Sequence, residues 1–482
     1  MMDQVVGLKS DLWALMPYIS LIAGAFFILC LSLLERKSKE HKSWYAFFGC
    51  FFSVLCLYFL FQGRGMVAPI AQGMLVSDHI AYVFSGVLLL LLIPASLAHA
   101  FDSDEIGDKP SGIVSLLLLS ACGGLLMAHA NHLLLFFVAL ELLSLPLYVI
   151  TAIGKNPKAS EAGFKYFLLG AFASAIFVYG VALTWSGFNT LWISEISQIL
   201  EAGFLSDFSG SQWVGLALMF VGVLFKVGIF PFHAWIVDVY EAAPSHLVAW
   251  MSGAVKAATF VLALRLLALV PDEMKRHWMI VLTVFAVGSM LLGAVGGLFQ
   301  KNIKRLLGYS TIAHGGYACI ALLVVLRASV HEVVDVLALY LLVYGVSSMA
   351  AFTFAAVIEG AKQSIEVQGL KGFAQENAGL ALVFSLSLLS LAGFPPLGGF
   401  FVKFQLFALS LRNGLLFVSI VAAISSVIAL GYYLSILVAM YFKKGEWVHL
   451  YKSKVISIIL FACVLLILAA GMMPSSIMGL MG

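Results

Sequence analysis

Charge is scarce in this sequence. Asp, Glu, Lys and Arg make up 11% of the 482 residues, 62% are hydrophobic and the mean hydropathy is +1.05. Soluble domains carry about 25% charged residues. The scarcity excludes a string of soluble domains, although the length alone would suggest roughly three. Paired cysteines are missing as well. Cys30, Cys50, Cys56, Cys122, Cys319 and Cys463 stand singly in apolar runs with no CxxC pair. That rules out a recognisable iron–sulfur or zinc ligation pattern and leaves them as small core residues. No GxGxxG or Walker-type loop is present either, so the motifs point to no redox or nucleotide chemistry in this chain. A net charge of +3 without a basic patch offers nothing to nucleic acid.

What the chain has is apolar length. About fourteen stretches are long enough to cross a bilayer: roughly 12–34, 43–62, 79–101, 111–130, 131–153, 161–187, 212–231, 244–268, 277–299, 304–326, 331–359, 377–411, 414–442 and 453–473. The expected fold is an all-α polytopic membrane protein embedded in the lipid bilayer. The first stretch is too long, and lacks the small-residue site, for a cleaved signal peptide. Segment 190–203 is amphipathic and is expected to lie at the interface. Most Lys and Arg fall on the odd-numbered loops, among them Arg36, Lys37, Lys39, Lys301, Lys304, Arg305, Lys443 and Lys444. The N-terminal tail and even loops carry only Lys9, Arg64, Lys275, Arg276, Arg327 and Arg412. The positive-inside rule then puts the odd loops in the cytoplasm and both termini outside.

Two stretches break the apolar pattern. In 221–260 the run VGVLFKVGIFPFHAWIVDVYEAAPSHLVAWMSGAVKAATF holds Lys226 and Lys256 inside hydrophobic sequence, with a Gly/Pro break between them. Each Lys at the bilayer centre costs about 2.5–3.5 kcal/mol on insertion scales, so the two together ask for compensation. The run LSLAGFPPLGGFFVKF, ending at Phe404, has the same character and holds Lys403. Pro231 and Pro395 lie 164 residues apart, and that offset maps the fourth to eighth spans onto the ninth to thirteenth. Units of five helices enter from opposite sides, so the repeat is expected to be inverted, each half with a broken helix. Paired broken helices of this kind point to an ion pathway. The corresponding division is 1–110 (three helices), 111–270 (first five-helix unit), 271–442 (second unit) and 443–482 (last helix).

Glu141, in LLLFFVALELLSLPLYVI, is the one acid deep in the first ten spans. It must be neutral or paired there. Lys226 precedes the first break by one turn, where freed carbonyls and water can accommodate an ammonium. Lys256 sits among small residues that allow close helix packing. Lys403 follows the second break. His233 and His314 are candidates for proton relay, although a lone membrane His is more often a hydrogen-bonded structural residue. Lys165 and Arg265 read as partners of these groups or as snorkelling side chains. Asp238 and Glu241 read as loop residues, solvated or capping. Glu141 and Lys226 are expected to meet directly or through one water.

These residues carry a family resemblance. FPFHAWIVDVYEAAP is similar to the PFHxWxPDVYxGAP signature of antiporter-like proton-translocating membrane subunits, with Val237 in place of Pro and Ala242 in place of Gly. NIKRLLGYSTIAHGGYA and PPLGGFFVKFQLF resemble the same family, most closely its N-subunit branch in bacterial NADH–quinone oxidoreductase (complex I). The resemblance implies fourteen membrane helices with two inverted five-helix units. It implies a polar axis of Glu141, Lys226, Lys256 and Lys403, with His233, His314 and Lys165 as further candidates. It also implies a place in the bacterial inner membrane beside neighbouring antiporter-like and small membrane subunits. NAD, FMN, iron–sulfur clusters and quinone are expected in other subunits, with no cofactor or metal on this chain. Lys403 argues against the M branch, which has Glu there. The short end after the last helix argues against the L branch with its lateral helix. A multi-subunit cation/proton antiporter shares the signature and is the alternative.

Overall fold

The computed structural model describes residues 2–34, 42–63, 70–101, 110–153, 157–202, 210–361, 363, 365–445, 447, 450, 453–474 and 479. Among them the architecture is helical, with isolated β-bridges and no strand. The helices are α1 (Met2–Leu34), α2 (Lys42–Gln62), α3 (His79–Phe101), α4 (Pro110–His129), α5 (Leu133–Ala152), α6 (Pro157–Phe188) and α7 (Ile193–Glu201). Then come α8 (Ser211–Val227), α9 (Ala234–Ala242), α10 (Ser245–Trp250), α11 (Lys256–Leu267), α12 (Asp272–Leu298), α13 (Ile303–Val325) and α14 (Val330–Gly360). The last are α15 (Phe373–Glu376), α16 (Ala378–Ala392), α17 (Gly398–Arg412), α18 (Leu416–Phe442) and α19 (Lys454–Met472). Twelve continuous helical runs among these are long and apolar enough to cross a membrane, and α8 and α16 are shorter apolar helices. The amphipathic α7 falls inside 190–203. Several of the charges used for orientation, including Arg36, Lys37, Lys39 and Arg64, lie outside the described residues.

Burial sorts the helices into an inner row and an outer belt. Nearly every residue of α10, α11, α13 and α14 is covered by protein. The outer helices show apolar side chains such as Phe26, Phe172, Ile280, Phe417 and Phe461, as a surface facing hydrocarbon must. Small residues set the inner spacing. A Cβ added at Gly253 would fall 2.8 Å from the Gly345 Cα, so the two backbones touch, as small-residue membrane interfaces allow. Residues 251–255 between α10 and α11 form a π-turn, a local widening often found at functional positions. It delivers the chain directly to Lys256.

Both broken helices end alike. α8 stops at Gly228 (φ +72°), whose N–H bonds the Leu224 and Phe225 carbonyls while the Ile229 N–H bonds Leu224. α16 stops at Gly393 (φ +86°), with Gly393 N–H to Leu389 and Ser390 and Phe394 N–H to Leu389. This is the Schellman motif, and its left-handed position favours glycine. The equivalent residues, Gly228 and Gly393, are 165 apart, one more than the proline spacing in the sequence.

Two expectations are corrected. Asp238 and Glu241 lie within α9, and Arg305 of α13 donates to both, at 3.2 and 2.6 Å. The loop placement is what fails: Asp238 stays exposed as expected, while Glu241 is partly buried against the Arg305 guanidinium. Lys304 is not a solvated loop lysine. It is buried in the first turn of α13, where its Nζ donates to the Ala243 carbonyl (2.8 Å) and to Glu359 Oε1 of α14 (2.8 Å). Glu359 Oε2 accepts from Ser245 of α10 (2.5 Å). This knot holds the α9–α10 turn onto α13 and α14. Removing one partner of a buried pair leaves an uncompensated charge worth about 3–5 kcal/mol. Lys304→Met should therefore lower the thermal unfolding midpoint of the detergent-purified protein. Lys304→Met combined with Glu359→Met should recover most of the loss.

Candidate functional site

The three lysines read from the sequence are all buried, none more than 4% exposed. Each is satisfied differently. Lys226, in the last turn of α8, donates to the Tyr166 hydroxyl of α6 at 2.9 Å. It also lies 4.8 and 5.1 Å from the Tyr166 and Tyr148 ring centres, within cation–π range. Trp235 of α9 stacks on Tyr166 at 4.6 Å, and its indole N–H donates to the Phe225 carbonyl (3.0 Å), one of the carbonyls at the first break.

Lys256 follows the π-turn and donates to the Thr311 carbonyl of α13 at 2.7 Å. Its amine fits because residue 315 is glycine: a Cβ there would meet Ile229 at 2.8 Å and Lys256 Nζ at 3.0 Å. Lys403 of α17 reaches back to the second break. Its Nζ donates to the Leu391 (2.8 Å) and Ala392 (3.1 Å) carbonyls and to Ser426 (3.2 Å), 4.9 Å from the Tyr317 ring centre. A cation there also meets the negative end of the α16 dipole. So Lys403 lies against the second break itself, in a buried position.

His314 lies between the second and third lysines. Its Nδ1 shares a hydrogen bond with the Tyr340 hydroxyl (2.8 Å), its ring stacks on Tyr344 at 4.6 Å, and it lines a small cavity with Lys403. Tyr344 in turn donates to Thr311 Oγ1 (3.1 Å), on the turn that accepts Lys256. His314 therefore sits between the two lysines, stacked on Tyr344 beside the turn that accepts Lys256 and sharing a cavity with Lys403.

Glu141 of α5 is half-buried. The Ser174 hydroxyl of α6 donates to its Oε1. The carboxylate faces a groove of about 600 Å³ between α5 and α6, lined by Phe137, Ala171 and Ala175. Of the two ways expected for Glu141 and Lys226 to meet, the direct contact is not made: Lys226 turns to Tyr166 and Glu141 to Ser174. The other candidates stand apart. Lys165 is 51% exposed and pairs with Glu161 one turn earlier (2.7 Å), a surface arrangement. His233 is partly exposed at the start of α9 and packs on Phe230 at 6.1 Å. Arg265 pairs through two nitrogens with Asp78 (2.9 and 3.0 Å) and caps the Ala128 carbonyl, which makes it a fastener between α11 and the end of α4. Among the described residues no three His, Cys, Asp or Glu cluster as metal ligands.

Sequence reasoning missed Tyr148, Tyr166, Ser174 and Tyr340. Lone Tyr or Ser residues in membrane helices carry no signal of their own. Their roles come from helix neighbours distant in sequence.

A polytopic bundle with two Schellman-broken helices and a buried row of lysines is a membrane protein of the antiporter-like class. The family model described as "NADH:quinone oxidoreductase/Mrp antiporter, TM" matches residues 130–429, and the chain belongs to this family. It is 32% identical over 479 residues to NADH-quinone oxidoreductase subunit N of Trichlorobacter lovleyi, covering 97% of this chain and 96% of that protein. It is 34% identical to subunit N of Bdellovibrio bacteriovorus, covering 91% and 90%. A chain of respiratory complex I from Thermus thermophilus superposes with TM-score 0.78 at 30% identity, covering 96% of this chain and 99% of that one. A chain of the Mrp complex from Dietzia superposes with TM-score 0.82 at 20% identity, covering 98% and 96%, a likeness of fold.

The seat of Lys256 makes a clean test. Gly315→Ala should destabilise the purified protein by about 1–3 kcal/mol, the usual size of overpacking, read as a lower thermal midpoint. Gly308→Ala on the same helix, where the nearest atom would be at 3.5 Å, should leave the midpoint unchanged.

Proposed function

We propose that this chain is a proton-translocating membrane subunit of a respiratory NADH–quinone oxidoreductase. Protons pass along Glu141, Lys226, Lys256, His314 and Lys403, with bridging waters, driven by quinone reduction elsewhere in the complex. The observation that carries the reading is the row of three buried lysines, each seated on or beside a helix interruption. Such groups are expensive in a membrane and mark ion paths. The repeated Gly228 and Gly393 caps support counting α8–α9 and α16–α17 as broken spans, for fourteen in all. They support two inverted five-helix units over 111–270 and 271–442, flanked by 1–110 and 443–482.

The redox chemistry belongs to other subunits on this reading, which carry NAD, FMN, iron–sulfur clusters and quinone. The partners are neighbouring antiporter-like and small membrane subunits. The setting is the bacterial inner membrane with both termini on the periplasmic side. Relatives at 32–34% identity that are named as subunits of NADH-quinone oxidoreductase favour this over a cation/proton antiporter, for which the likeness is one of fold. Lys165 and His233 are left outside the row because both sit at partly exposed positions with other neighbours.

Hopping needs a group that can lose its proton. Lysine can do so when desolvated, whereas arginine stays charged. In the assembled complex in vesicles, Lys226→Ala and Lys256→Arg should each lower proton pumping and coupled quinone reduction by about tenfold or more. Undiminished turnover in Lys256→Arg would make Lys256 a fixed charge. Glu141→Gln should impair pumping with normal assembly, because an amide cannot change charge; normal pumping there would remove Glu141 from the path.

A further inference from the structure

Short hydroxyl side chains buried in these helices mostly find an acceptor for their proton. Most spend it on their own helix. Ser144 donates to Leu140, Thr151 to Leu147, Thr184 to Gly180, Ser289 to Phe285 and Ser385 to Ala381, each one turn back, the usual local bond of such residues. Ser174 does not. Its proton crosses from α6 to the Glu141 carboxylate of α5.

Ser174 also stands where two voids meet. The groove that Glu141 faces is lined on one side by Ser174. On the other side a small cavity of about 10 Å³ is lined by Ser174, Tyr148, Gly170, Gly222 and Lys226, room for about one water. Ser174 is the residue common to both linings. The helices are tight around it. A Cβ at Gly222 would fall 2.9 Å from Phe177, and one at Gly170 would fall 2.0 Å from the Tyr148 hydroxyl. A hydroxyl has one proton to donate and two lone pairs, so the bond to Glu141 leaves Ser174 free to accept from the Lys226 side.

We propose that Ser174 is the relay residue between Lys226 and Glu141, an inference that rests on the proton path above and specifies its first link. In the transfer the Lys226 ammonium gives a proton to a water in the small cavity. That water gives one of its protons to Ser174 Oγ, and Ser174 passes its own proton to the Glu141 carboxylate. Lys226 ends neutral and Glu141 ends as a carboxylic acid, while the water and the hydroxyl are restored. The reverse transfer uses the same bonds. The carboxylate faces the groove between α5 and α6, so the proton emerges at the edge of the chain rather than inside it.

The test uses the assembled complex in vesicles, with pumping read by a pH-sensitive dye and quinone reduction by absorbance. Ser174→Ala should keep assembly and lower both by roughly tenfold, the order of one lost hydrogen-bonded link. Ser174→Thr, which keeps the hydroxyl, should recover most of the activity. A second readout is independent of turnover. In infrared spectra the carboxyl band that disappears in Glu141→Gln should shift in Ser174→Ala and stay in place in Ser174→Thr. Wild-type pumping in Ser174→Ala, while Glu141→Gln is impaired, overturns the relay and leaves the path standing. Wild-type pumping in Ser174→Ala, Glu141→Gln and Lys226→Ala alike overturns the path and the relay with it. An unshifted band in Ser174→Ala overturns the relay whatever the activity.

Discussion

The structure depends on one constraint: an ammonium or a peptide group without water must find a polar partner inside the protein. The lysines and the helix breaks satisfy it together. Lys256 takes the Thr311 carbonyl from the middle of an unbroken helix, while Lys403 takes the Leu391 and Ala392 carbonyls that the second break releases. At the first break the Trp235 indole adds a donor to the Phe225 carbonyl, which the Gly228 N–H already meets. Lys226 instead rests on a tyrosine hydroxyl and two aromatic faces. The two halves share a cap and differ in which residue satisfies it.

That difference explains how much could be read in advance. Span positions followed from apolar length, and most agree with the helices to within a few residues. The breaks followed from Gly and Pro, because a left-handed cap favours glycine and leaves a local mark. The buried lysines and Glu141 stood out because charge is rare here. What stayed hidden was contact between distant segments. Nothing near Lys304 announces Glu359, 55 residues on, and nothing near Glu141 announces Ser174, 33 residues on. The Glu141–Lys226 pair was expected from charge alone. The structure puts a serine and two tyrosines in that space, since neutral hydroxyls can serve ammonium and carboxylate separately. Asp238 and Glu241 were misread because a Pro-broken stretch suggests a loop, whereas the chain restarts a helix at Ala234.

The glycines and the polar knots divide the labour of assembly. Gly253 and Gly345 bring backbones into contact, and Gly315 leaves a lysine-sized space. The Lys304–Glu359–Ser245 and Arg265–Asp78 groups fasten helix ends, each cation matched by a carboxylate and a backbone carbonyl.

The complete burial of α10 and α11 has a consequence for how the protein is made. These helices carry Lys256 and show almost no face to lipid; α3, α4 and α8, made earlier, cover part of them, and α13 and α14, made later, complete the cover. The 93 residues from Leu267 to Gly360 take about 5–20 s at ribosomal speeds of about 5–20 residues per second. During that interval Lys256 lacks the Thr311 carbonyl that accepts from it in the finished structure, at a cost of about 2.5–3.5 kcal/mol on insertion scales. The feature that places the Lys256 amine at the centre of the finished bundle thus ties the final seating of this span to a helix made later.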